Sequence, residues 1–173
     1  LNDTALAIPL AIQAGLGEYG RHGMVITREF GPRVRFGKIF TNAPMAFDNQ
    51  IEFGVTKFCE NCRKCTDACP PKAIPDGEPS PVKLNLSSIS GVKKWSVDGE
   101  KCFSYWGKIV SDCMICMRVC PYNKDFTKFR HRIGLRLAST KLRNIMLMLN
   151  DLFDYGERLK PKAWWNGESR RRI

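Results

Sequence analysis

No stretch of this 173-residue chain is apolar for long enough to span a bilayer. The longest mainly apolar run, Leu142 to Phe153, is interrupted by Arg143, Asn144, Asn150 and Asp151, and it falls short of the about 20 residues that a crossing helix needs. Acidic charge is scarce as well: 17 Asp and Glu stand against 28 Lys and Arg, a formal net charge of +11. That balance invites a nucleic-acid reading. The cations are spread along the chain apart from the closing ESRRRI, however, and no recognition motif accompanies them, so nucleic acid is not an expected partner. An acidic partner or an anionic membrane surface suits the charge at least as well. A charged leader with an apolar core is missing from the first residues, so no export signal is visible. The opening LNDTALAIPLAIQAGLGEYG begins on Leu1 and reads as the interior of a fold, which leads us to expect a longer polypeptide.

Nor is there any surplus of cysteine: all eight fall into two runs. FCENCRKCTDACPPKAI, from Phe58 to Ile74, reads Cys59-x2-Cys62-x2-Cys65-x3-Cys69-Pro70. Cysteines this close in one run can rarely all reach disulfide partners at the required separations and torsions. The spacing is that of the bacterial ferredoxin run, whose fourth cysteine ligates the other cluster in two-cluster proteins. A second run is therefore required, and Cys102, Cys113, Cys116 and Cys120 supply it, again closing on a proline, Pro121. The expected assignment is Cys59, Cys62, Cys65 and Cys120 to one [4Fe–4S] cluster, and Cys69, Cys102, Cys113 and Cys116 to the other, with Cys102 reached by a longer loop. Two tetrathiolate zinc sites would also use all eight, but zinc ribbons favour two separated C-x2-C pairs per site over a three-cysteine run and a remote fourth.

Around these runs the sequence predicts a helix through TALAIPLAIQAGLG, capped by Asp3 and ending at Gly15 or Gly17, with Pro9 a kink or a sign of a later start. Two β-prone pieces follow, MVIT and RVRFGKIFT. On a two-residue period Val34, Phe36, Lys38 and Phe40 share one face of the second piece. A lysine in an apolar row is either paired or working if that face is buried; alternatively Gly37 forms a bulge and turns Lys38 outward. IPDGEPSPV reads as a surface loop. Cys113, Cys116 and Cys120 recur at a helical spacing, and a last helix is expected from Ser139 or Thr140 to Tyr155, closed by Gly156, with Met146 in its packing face. Trp164 and Trp165 read as anchors of a basic tail.

LGEYGRHGMVITREFGPRVRFGKIFTNAP, the first cysteine run, KCFSYWGKIVSDCMICMRVCPYNK and the late YGERLKPKAWWN together resemble the C-terminal part of the corrinoid-dependent reductive dehalogenases, over nearly all of the chain. The resemblance implies an α+β architecture. Residues 1–52 would be the C-terminal part of a nitroreductase-like cobalamin-binding α/β domain, 53–130 a ferredoxin-like two-[4Fe–4S] domain, and 131–173 a helix and an aromatic, basic tail packed on the core. It further implies that electrons pass through the clusters to a corrinoid cobalt that removes halide from an organohalide. Lys38 matches the basic member of the family's catalytic pair, whose tyrosine belongs upstream of this chain, since Tyr19 is too close in sequence. Tyr19, Gly20, Arg21, His22 and Gly23 match a loop lying against the corrinoid. The implied partners are a halogenated small molecule, a low-potential electron donor and a small membrane anchor protein holding the enzyme on the outer face of the cytoplasmic membrane. Epoxyqueuosine reductases share the corrinoid, the two clusters and a similar glycine-rich segment, but GPRVRFGKIFT and AWWN fit the dehalogenases better. A two-cluster electron carrier would need neither Lys38 nor the segment before the clusters.

Overall fold

The structure is a computed structural model that describes residues 6–86, 88–153, 155–157, 162, 165 and 166. Helix α1 spans Ala7–Gln13 and places Pro9 in its first turn, where a missing N–H costs least. The expected cap, Asp3, lies outside the described residues. A short antiparallel hairpin follows, β1 (Glu18–Tyr19) against β2 (Val25–Ile26), with Tyr19 opposite Val25. Its turn closes through Gly23 N–H to the Gly20 carbonyl, 2.9 Å, and Met24 N–H to His22 Nδ1, 3.2 Å. After β2, Thr27 bridges to Gly31. Gly31 has φ +59°, and a side chain there would meet the Tyr122 carbonyl oxygen at 1.9 Å, so only glycine lets this turn lie against the second cysteine run.

RVRFGKIFT forms no strand. Val34 and Phe36 are half-buried, whereas Lys38, Ile39 and Phe40 are exposed, so the expected apolar row does not close over the lysine. Alternation makes a strand only where a neighbour completes the ladder, and among the described residues the sole sheet is the β1–β2 pair.

The cysteine-bearing part is helical. It comprises α2 (Val55–Asn61), α3 (Lys64–Asp67), α4 (Gly99–Ile109) and α5 (Ile115–Arg118). The last expected helix is α7 (Arg143–Leu152), starting three residues later than Thr140, and a further helix, α6 (Phe129–Ala138), precedes it and packs on it. Hydroxyls divide them: Ser139 Oγ donates to the Arg136 carbonyl at 2.7 Å and Thr140 Oγ1 to that of Leu137 at 2.9 Å, while Thr140 Oγ1 accepts the Leu142 N–H at 3.1 Å. Such side chains compete with the helical ladder and end it. Met146 is buried as expected, but Leu142, Ile145, Leu149, Leu152 and Phe153 are exposed. Trp165 is exposed too, and Trp164 and the basic tail lie outside the described residues.

One core joins hairpin and helices: Ile26, Phe53, Val55, Phe58, Trp95, Tyr122, Phe126, Ala138 and Met146 pack with Cys59 and Cys62. A smaller cluster gathers Cys65, Cys69, Ala73 and Ile74, with Cys102 and Cys116 against it.

Candidate metal centre

The two cysteine runs fold into the same motif twice. Cys59 lies on α2 and Cys102 on α4; Cys65 lies on α3 and Cys116 on α5, and α3 packs against α5. The residues before the two short helices have matching backbones, Arg63 at φ −116° and Met114 at −118°. So do the residues after them, Ala68 at −79° and Val119 at −81°. Cys102 sits in the first turn of α4, and Asp98 Oδ1 caps that helix by accepting the Lys101 N–H at 3.0 Å. Chain length between first and second cysteine is taken up beyond Cys102 by α4 itself, which ends at left-handed Val110, φ +50°.

Each run's fourth cysteine has thiols of the other run as neighbours. Burial raises the Cys120 thiol well above its ordinary value, and neighbouring Cys59, Cys62 and Cys65 add to that. Cys116 is pushed up to about 11 by burial, with Cys113, Cys102 and Cys69 contributing, and Cys102 is raised by burial, Cys69 and Cys113. Cys65 is raised to about 12 by burial, then by Cys59, Cys62 and Cys116, which places it at the seam between the groups. Cys120 thus has Cys59, Cys62 and Cys65 as neighbours, and Cys69 and Cys113 neighbour Cys102 and Cys116. All eight are free thiols.

Buried thiols with raised pKa values stay protonated near neutral pH, and only a strong Lewis acid can draw thiolates from them. Backbone amides are already aimed at the sulfurs. Ala73 N–H donates to Cys69 Sγ at 3.3 Å, and the amides of Arg21, Lys64, Met117 and Tyr122 oppose the rise at Cys59, Cys62, Cys116 and Cys120. Five such N–H groups suit a cluster whose charge they partly neutralise.

The loop expected to line a corrinoid is bound into the cysteine region. Arg21 is 2% exposed, and its guanidinium donates to the carbonyls of Cys59, Glu60, Pro75, Asp76 and Gly77 while lying 4.8 Å from the Trp95 ring centre. Tyr19 donates its hydroxyl to the Trp95 carbonyl at 3.0 Å, and burial lifts its pKa to about 12. Side chains at Gly20 or Gly23 would meet Ile26 or Val97 at 2.8 Å. His22 is buried and lowered to about 4 by that burial; its Nδ1 accepts from Met24, which leaves the proton on Nε2, a buried atom with no partner among the described residues.

Glu18 was not singled out by sequence reasoning. Its carboxylate accepts the N–H groups of Phe53, of Val55 at 3.3 Å and of Thr56 at 3.4 Å. It thereby caps α2, whose own cap residue, left-handed Gly54, offers no side chain. A separation of 35 residues and more left no local signal for this contact. Lys38, by contrast, lies on the exposed stretch after the hairpin.

Residues 58–123 match the 4Fe-4S double cluster binding domain family. The chain is 37% identical over 168 residues to the tetrachloroethene reductive dehalogenase of Sulfurospirillum multivorans, covering 96% of this chain and 34% of that protein. It is 43% identical over 166 residues to that of Dehalobacter restrictus, covering 92% and 30%. An epoxyqueuosine reductase from Lactococcus garvieae is more distant, 30% over 134 residues, covering 75% and 36%. Among solved structures, one titled for a mechanism of B12-dependent dehalogenation superposes with a TM-score of 0.75 at 32% identity, covering 87% of this chain and 21% of that one. The chain spans about a third of the length of the curated relatives it matches. A shared cluster module alone would give similarity confined to the cysteine segment; here it extends over nearly the whole sequence, hairpin included, and the chain belongs to the reductive dehalogenase family.

Proposed function

We propose that this chain is part of an enzyme that reductively removes halide from an organohalide, and that it carries the two [4Fe–4S] clusters through which the electrons travel. The proximity of Cys120 to Cys59, Cys62 and Cys65, and of Cys69 to Cys102 and Cys116, supports the cluster assignment most directly. The first group is the more enclosed: Cys59, Cys62 and Cys65 are 6–7% exposed, while Cys102, Cys113 and Cys116 are partly accessible. Electrons from a low-potential donor would then enter at the second cluster and continue to the first.

The family resemblance adds a corrinoid bound by a nitroreductase-like domain to which residues 1–52 contribute; when bound, its cobalt supplies the centre at which halide leaves. Of the five loop residues matched to the corrinoid, His22 fits best, because its Nε2–H is buried with no partner among the described residues. Arg21 and Tyr19 are committed to backbone carbonyls. Lys38 is the basic member of the catalytic pair in this reading: its ammonium beside a phenol favours phenolate, which eases proton release near neutral pH. Because the two relatives described above are tetrachloroethene reductive dehalogenases, chlorinated ethenes are the substrates to test first. Attachment to the outer face of the cytoplasmic membrane by a small anchor protein belongs to the same proposal. No helix among the described residues is long and apolar enough to cross a membrane by itself.

The test is anaerobic. The full-length protein is purified with its cofactors, iron and cobalt are quantified together, and chloride release from chlorinated ethenes and phenols is followed with a low-potential donor. About eight irons and one cobalt per chain with halide release is the expected result; iron without cobalt, and no halide, would leave an electron-transfer protein and end the dehalogenase reading.

A further inference from the structure

Arg21 is a charged side chain almost wholly removed from water, 2% exposed, and among the described residues it forms no salt bridge to a carboxylate. Its donors go instead to five carbonyls, two of them, from Cys59 and Glu60, at the end of α2. Carbonyls at a helix end lack intrahelical partners and carry the negative end of its dipole, so the guanidinium is held firmly, yet no carboxylate pairs with it among the described residues, the buried Glu18 being held by the N–H groups of Phe53, Val55 and Thr56. A buried ion without a counter-ion is costly. Something else at this place must carry the opposite charge.

The thiols are that something. Arg21 Nε donates to the Cys59 carbonyl at 3.0 Å and its guanidinium also reaches that of Glu60 at 3.4 Å, which holds the cation against the helix that carries Cys59 and ends at Cys62. All five acceptors of the guanidinium lie between residues 59 and 77, on the first cysteine run and the loop after it, and none on the run from Cys102 to Cys120. Four thiolates around an iron–sulfur core give the first cluster a net negative charge, and one-electron reduction adds to it. A fixed cation in a dry, low-dielectric site stabilises the more negative, reduced form. Net charge and hydrogen bonds to the sulfurs are among the levers that set cluster potentials.

We propose that Arg21 sets the reduction potential of the first cluster: its buried guanidinium is the counter-charge that makes the cluster ligated by Cys59, Cys62, Cys65 and Cys120 easier to reduce, and it acts selectively on that one. The inference rests on the two-cluster reading above. It makes Arg21 a positioning residue for electron delivery rather than a contact of the substrate or the corrinoid. Trp95 completes the arrangement, stacking on the guanidinium while its Nε1–H donates to the Gly77 carbonyl at 3.0 Å, one of the acceptors Arg21 uses.

The experiment is an EPR-monitored redox titration of the full-length holoprotein and of Arg21→Gln and Arg21→Lys, with iron quantified in each. The altered signal of Cys120→Ser identifies which resonance belongs to the first cluster. In Arg21→Gln the first cluster should become at least tenfold harder to reduce at a fixed potential, about 59 mV lower for a one-electron couple, with the second cluster unmoved and iron unchanged. Arg21→Lys, which keeps the charge, should retain most of the wild-type potential; it decides the matter alone if Arg21→Gln does not fold. An unmoved first cluster in Arg21→Gln, an equal shift of both clusters, or a full shift in Arg21→Lys would overturn the proposal while leaving the two clusters standing. Wild-type protein that takes up no pair of clusters would instead refute the cluster reading itself.

Discussion

The crossing of the fourth cysteines can be tested by counting irons. Cys120→Ala removes one of four ligands from the group of Cys59, Cys62 and Cys65 and leaves Cys69, Cys102, Cys113 and Cys116 intact, so about four of about eight irons should be lost. Cys69→Ala should lose the other four. Single variants cannot separate this from a sequence-order arrangement, because any one cysteine costs one cluster in either case. Pairs can, since damage to ligands of one site does not add. Cys120→Ala with Cys59→Ala should still hold about four irons, whereas Cys120→Ala with Cys116→Ala should hold almost none. Sequence order reverses both outcomes. Iron and acid-labile sulfide per chain, with EPR of the reduced protein, read the result; a Cys120/Cys116 pair that keeps one complete cluster would refute the assignment made from thiol proximity.

Lys38→Ala in the complete enzyme should keep its iron and corrinoid and lose turnover by about 10²–10⁴-fold, the range for a group assisting proton transfer; unchanged turnover would remove Lys38 from the mechanism. Glu18→Gln should cost roughly 1–3 kcal/mol in urea unfolding, because the buried N–H groups of Phe53, Val55 and Thr56 lose a charged acceptor; an unshifted midpoint would show that α2 does not depend on this cap. His22 makes a prediction in acid. Burial lowers it from 6.5 to about 4, so the fold resists protonation: its contribution is full above about 6.5, is lost as the pH falls through that value toward about 4, and totals about 3 kcal/mol. His22→Gln should flatten that part of the stability–pH curve, and an undiminished acid slope in the variant would place the loss elsewhere.

The cysteine pattern was legible because its information is local. Three residues between Cys65 and Cys69 and two between Cys62 and Cys65 determine a short helix with a sulfur at each end, and the second run repeats this as far as the backbone angles of Arg63 and Met114. What was not legible depends on distant partners. Arg21 reads as part of a loop against the corrinoid until the carbonyls of residues 59, 60 and 75–77 are seen around it. Glu18 reads as an exposed carboxylate until α2 is placed on the hairpin. The period-two reading of residues 33–41 failed for the same reason in reverse, since alternation was present and the neighbouring strand was not. The break at Ser139 and Thr140 was a matter of weighting: both hydroxyls fit an N-cap, and both instead turn back to close the helix before them.

One backbone motif thus serves two sites that differ in what covers them. Around the first lie the hairpin, Trp95 and Tyr122, all 0–2% exposed where they meet the core at Ile26, Trp95 and Tyr122. Around the second, α4 leaves Phe103 73% and Val110 90% exposed, with Met114 at 49%. Water and mobile ions can respond to an electron added at the second site. At the first, the response has to be built in, from amides aimed at sulfur and from a cation placed beforehand, because a low-dielectric interior screens little and reorganises little. Burial that makes the first site costly to charge is also what makes a single guanidinium there effective. The same arginine moved to the second site would be diluted by solvent, which is why the selectivity of an Arg21 variant between the two clusters, and not merely the size of its effect, carries the argument.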